Sequence, residues 1–168
     1  MMHAVTPEIA RIGQVVLEIA LCALLLVAAV GDVRRYIIPN RLCLGIALLA
    51  PLYWLLLSLA SGDPLLPLAA RQLGLSIAVF AVLAGLFALR VMGGGDVKLM
   101  AALALWLPLG AFGHAAYWTA LTGAIVAAAV IVRTRLNPQA PRKVPYGVAI
   151  AAGGIAVLVE PILNVLAA

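Results

Sequence analysis

A chain of 168 residues that is 66% hydrophobic and 10% charged, with a mean hydropathy of +1.19, cannot bury its apolar surface in a water-soluble core, so it reads as an integral membrane protein. Its net charge of +5 does not point to nucleic acid. The Lys and Arg residues fall in short clusters between apolar runs and form no continuous basic face with interleaved aromatics. No separate soluble domain fits, and residues 1–168 are expected to form one transmembrane domain.

The first apolar run, Ile12 to Val30, is longer than the ~7 to 15 residues of a signal-peptide core. Arg34 and Arg35 follow it, so it is expected to stay as the first span. Glu18 lies on nearly the same face as Asp32, ~21 Å away along this helix. That distance puts Glu18 in the outer half of the bilayer, where a structural role is expected, either snorkelling outward or pairing with a residue such as Arg71. The second run is Leu42 to Leu59. Cys22 and Cys43 form no C-x-x-C pair and have no His nearby, so they read as inert thiols and no metal is expected. After an outer turn holding Asp63 comes the third run, Leu73 to Leu89.

The fourth run, Val97 to Val132, would reach ~54 Å as one helix, against a hydrocarbon layer of ~30 Å. Pro108, Gly110 and Gly113 supply a reversal, which predicts helices over Val97–Leu107 and Phe112–Val132. The last run, Tyr146 to Val165, carries Glu160 near its outer end. The fold expected is all-α, a polytopic bundle of six transmembrane helices. Its last two, containing "ALTGAIVAAAV" and "GVAIAAGGIAV", are rich in the small residues that let helices approach closely in lipid.

Charge placement agrees with six spans. The segments with Arg34, Arg35 and Arg41, with Arg90 and Lys98, and with Arg133, Arg135, Arg142 and Lys143 fall on one side; Arg11 and Arg71 fall on the other. The rich side is then cytoplasmic and both termini face outward. Tyr36 and Tyr146 are expected at the inner interface and Trp106 toward the outer one.

This topology gives two carboxylates a common depth. Asp32 closes the first span in "VGDVRRYIIPN", and Asp96 opens the fourth in "GGGDVKL". Two carboxyls close together in a partly dehydrated site share a single proton, and such a pair works as an acid and a base at once. The ionised member takes a proton from the attacking water while the protonated member hydrogen-bonds the peptide carbonyl. Taken singly, Asp96 also suits a helix N-cap and Asp32 an interfacial anchor beside Arg34. Gly93, Gly94 and Gly95 would cost about 1 kcal/mol each in a helix interior. They suit either the close approach of an extended peptide to Asp96 or a flexible inner turn.

At these residues the chain resembles the prepilin peptidases, the GxGD class of intramembrane aspartic proteases. "GGGDVKLMAALALWL" resembles the family's glycine-aspartate motif and the helix after it, and "GDVRRYIIPNRL" is similar to its first catalytic segment. "VPYGVAIAAGG" resembles its Pro-Tyr-Gly segment. The resemblance implies cleavage of short leader peptides from type IV pilin-like precursors at the cytoplasmic face of the bacterial inner membrane. Asp32 and Asp96 would be catalytic, with no metal or other cofactor. It also implies a substrate with a basic leader followed by an apolar helix, contact with membrane lipid, and a place beside pilus assembly machinery. The glycines would then receive the substrate, and Lys98 would hold Asp96 or meet an acidic substrate residue, or simply anchor the helix at the membrane. Long-form members carry an extra cytoplasmic domain with paired cysteines and also methylate the new N-terminus. This chain has no C-x-x-C pair, so it resembles the short form linked to tight-adherence (Flp) pili, and methyltransferase activity is not expected.

The competing class is a small proton-coupled transporter or channel using the same carboxylates. Such sites usually sit near the bilayer midplane, and this chain shows no evident inverted repeat.

Overall fold

The computed structural model describes residues 2–137, 139, 141 and 143–166, with side chains described between residues 8 and 165. Arg142, counted above among the cytoplasmic charges, lies outside the described residues. The described residues form six helices: α1 (Met2–Arg35), α2 (Asn40–Ser61), α3 (Leu65–Ala88), α4 (Gly94–Ala104), α5 (Leu109–Leu136) and α6 (Tyr146–Leu166). Five are long and apolar enough to cross a membrane. The exception is α4, whose 11 residues rise only ~16 Å, about half the hydrocarbon thickness.

α1 buries a seam of Glu18, Leu21, Leu25, Ala28 and Asp32, with the alternating three- and four-residue spacing of a helix stripe. Asp32 therefore faces inward by register, as the last member of that stripe. α2 presents Cys43, Ile46, Ala50 and Trp54 in the same way. α6 packs extensively against both α1 and α5. A Cβ on Gly153 would collide with Thr119 and the Ala115 carbonyl of α5, and one on Gly154 would lie 2.9 Å from Leu25 of α1. The close approach expected of these small residues is thus present on both sides of α6.

α4 is the centre of the bundle. Eight of its 11 residues are buried, and it touches α2, α3, α5 and α6. Protein rather than lipid surrounds it, which permits the irregular backbone of Leu105 to Leu107 to follow, because its polar groups can be paired internally. The Trp54 indole N–H donates to the Leu105 carbonyl at 2.7 Å, and that of Trp106 donates to the Ile46 carbonyl at 3.0 Å.

These contacts correct several expectations. Trp106 is 1% exposed, so it is a core residue stapling α4 to α2 and not an outer interfacial aromatic. Glu18 does not snorkel; it is buried, and the residue it pairs with is Tyr53 of α2, not Arg71, the tyrosine hydroxyl donating a 3.0 Å hydrogen bond to it. α3 starts at Leu65 rather than Leu73, and α4 runs over Gly94–Ala104 rather than Val97–Leu107.

Candidate active site

Asp32 and Asp96 come from the end of α1 and the first turn of α4, and both are buried, at 6% and 8% exposure. Together they line two cavities. The larger, of about 750 Å³, also includes Tyr36, Phe87, Arg90, Gly93, Lys143 and Tyr146. The smaller, of about 260 Å³, is formed with Ile38, Asn40 and all three glycines, Gly93, Gly94 and Gly95.

Three contacts bring the two helix ends together. The loop leaving α1 seats Ile38, which is 6% exposed, over Gly95, where an added Cβ would lie 3.1 Å from the Ile38 Cβ. Burying this side chain is worth about 2 kcal/mol, and it fixes the loop against the start of α4. One turn into α4, the Lys98 ammonium donates to the Asn40 side-chain oxygen at 2.9 Å, tying the Ile-Pro-Asn segment to the glycine-aspartate segment. From the other side, the Gly147 N–H at the start of α6 donates to Asp32 Oδ2 at 2.7 Å. The first N–H groups of a helix have no partner within it, so this carboxylate satisfies one of them. A Cβ on Gly147 would lie 2.9 Å from both the Cβ and Oδ2 of Asp32, which is why the position suits glycine.

The glycines divide their roles. Gly93 is the N-cap of α4 and Gly94 and Gly95 are its first two residues, so the helix starts inside the run, where unpaired N–H groups are normal. The Asp96 carboxylate folds back over Gly93, with Oδ2 2.8 Å from where a Cβ would stand, and the Phe87 ring lies 3.2 Å from the equivalent point on Gly94. Bare backbone therefore admits Asp96 itself, Phe87 and Ile38. Of the residues singled out by sequence, the structure gathers Asp32, Asp96 and the three glycines around shared space. It places Lys98 apart, against Asn40 in a neighbouring cavity between α2, α3 and α4.

Other residues at this site were not singled out. Tyr36 and Arg90 are non-glycine residues with left-handed backbone, at φ 53° and 60°, and both line the larger cavity. Tyr36 caps α1 through its N–H to the Asp32 carbonyl at 2.8 Å. At the end of α3, Arg90 N–H bonds the Phe87 carbonyl at 2.9 Å and Val91 N–H bonds the Leu86 carbonyl at 3.0 Å. This is a Schellman ending, in which glycine usually holds the position that Arg90 takes. Left-handed backbone costs an L-residue roughly 1–2 kcal/mol, and here it occurs twice at one cavity. Arg90 and Lys143 also bring positive charge to that cavity, although the sequence marked them only as topology signals. Gly147 lay within the "VPYG" block but no role followed from its position.

Two buried carboxyls lining the same cavities can share a proton and polarise a water molecule. The type IV leader peptidase family matches residues 19–132, a stretch containing both carboxylates and the three glycines. The chain is also 34% identical over 137 residues to the prepilin leader peptidase/N-methyltransferase of Bacillus subtilis (strain 168), covering 79% of this chain. The aligned part is about half, 51%, of that relative's length. No solved structure matches. The family match over most of the chain, together with the relative's similarity, shows that this protein belongs to the type IV leader peptidase family.

Proposed function

We propose that the protein is an aspartic endopeptidase of the bacterial cytoplasmic membrane that removes the short leader of type IV, Flp-like prepilins. The observation that carries this reading is the pair of buried carboxylates, Asp32 and Asp96, on the same two cavities. One carboxylate, ionised, takes a proton from water as the water oxygen attacks the scissile carbonyl carbon. The other, protonated, hydrogen-bonds the carbonyl oxygen and stabilises the charge that develops there. Collapse of the tetrahedral intermediate breaks the C–N bond, and the shared proton passes to the leaving amine.

In this reading α4 and the residues after it complete a sixth crossing, so both termini face outward and the cavity opens to the cytoplasm. The clustering of Arg34, Arg35, Arg41, Arg90, Arg133 and Arg135 on one side supports this orientation. We assign hydrolysis alone. The name of the Bacillus subtilis relative includes N-methyltransferase, whereas Cys22 and Cys43 here lie in α1 and α2 and form no C-x-x-C pair.

The test is co-expression with an Flp-type prepilin, followed by mass measurement of the pilin N-terminus. Loss of the leader only when this protein is present is expected. An intact precursor with every candidate pilin would reject the proposal.

A further inference from the structure

We infer that the cleft between α3 and α5, floored by α4, is the docking groove for the apolar helix of the substrate. This rests on the peptidase reading above. α5 packs against α6, while α3 packs mainly on α4 and, less, on α2, so α3 and α5 flank α4 without forming a packed pair. α3 is also the least buried of the long helices, at 6% of its most apolar window. The cavity left between them, about 300 Å³, is walled by Val79, Val82 and Leu83 of α3 and by Phe112 and Ala116 of α5, with Met100 of α4 as its floor. Every one of these side chains is apolar.

The cleft lies one helical turn from the carboxylate site on both α3 and α4. Leu83 lies in the cleft and Phe87, one helical turn on, lines the larger carboxylate cavity. On α4, Met100 floors the cleft and Asp96, one turn back, lines the same cavity. Residues four apart stack on one face of a helix, so the wall and floor of the apolar groove are aligned with the acid pair. From Ala78, at the far end of the cleft, to Phe87 is ~14 Å, about two and a half turns of a docked helix. A chain whose scissile bond precedes an apolar helix has this layout: extended peptide at the carboxylates, then helix along the cleft.

The opposite side of α3 offers a rival cavity of about 410 Å³, between α2, α3 and α4, lined by Leu44, Ala47 and Phe80. Its inner end carries Asn40 and Lys98, which are hydrogen-bonded to each other. It meets the smaller aspartate cavity at Asn40, which lines both. An incoming peptide there would have to break the contact that holds the two catalytic segments together.

The experiment replaces Val82 (α3–α5 cleft, 68% exposed) or Leu44 (rival cavity, 58% exposed) with photoreactive p-benzoylphenylalanine. Each is placed in an Asp96→Asn chain that retains uncleaved precursor. Irradiation of membranes should cross-link prepilin at position 82 about tenfold more than at 44, and a parallel Ala116→Trp chain should cut prepilin about tenfold more slowly because the cleft is overpacked. Equal or greater cross-linking at 44, or cross-links from 82 to lipid alone, would overturn the groove. Cleavage of the same prepilin by the unmodified protein is measured alongside. If cleavage occurs and 82 does not cross-link, the groove alone fails; if no cleavage occurs, the peptidase reading fails and takes the groove with it.

Discussion

Arg90 sets backbone comfort against side-chain placement. Its left-handed φ of 60° would be relieved by glycine, a gain of roughly 1–2 kcal/mol, partly offset by the roughly 0.5–1 kcal/mol of chain entropy that glycine loses on folding. An Arg90→Gly chain is therefore expected to match or slightly exceed the parent in thermal stability in detergent micelles. Prepilin processing should fall, because the guanidinium leaves the cavity it lines beside Asp96. A less stable chain that processes normally would show that the residue matters for the turn and not for the cavity. The sequence carried no trace of these turns: a positive φ is usually signalled by glycine, and here Tyr36 and Arg90 adopt it instead. Glu18 was hidden for a different reason. Its partner, Tyr53, is on α2, and only the α1–α2 packing brings the two together. Asp32 and Asp96 were legible because so few acidic residues interrupt the apolar runs.

At the scale of elements, hydropathy revealed where all six helices lie but not where each begins. α3 starts early because Pro67 falls in its first turn, after the N-cap Pro64, where a missing N–H costs no helical hydrogen bond. α4 starts inside the glycine run for a related reason, since its first N–H groups need no intrahelical partner. Its far end depends on tertiary contacts that periodicity does not reveal. Trp54 supplies the partner for the Leu105 carbonyl at 2.7 Å, so Trp54→Phe would leave a buried acceptor unpaired, at a cost of about 1–3 kcal/mol. Thermal unfolding of the purified protein measures this, and an unchanged transition would mean the α4 end is held by packing alone. The "IIPN" and "VPYG" segments also have their meaning at this scale. They hold the ends of α1, α4 and α6 together through Ile38 on Gly95, Asn40 with Lys98, and Gly147 on Asp32.

For the whole molecule, α4 forms a buried centre and α3 a thinly packed flank, while the carboxylates sit where the ends of α1, α3, α4 and α6 meet. The orientation proposed for this bundle can be tested with single cysteines at Arg35, Val91 and Ser61, in a chain whose Cys22 and Cys43 are replaced by Ala. A membrane-impermeant thiol reagent should reach positions 35 and 91 from the cytoplasmic side and position 61 from the outer side. Labelling of 35 and 91 from opposite faces would rule out a common site at one membrane surface.

The central claim, that the two acids act as one unit, is tested most directly by measuring prepilin processing in Asp32→Asn, Asp96→Asn and the double variant at matched membrane levels. The account predicts that each single change abolishes leader removal and that the double change is no worse, as for residues sharing one chemical step. Leader removal retained by either single variant would contradict it.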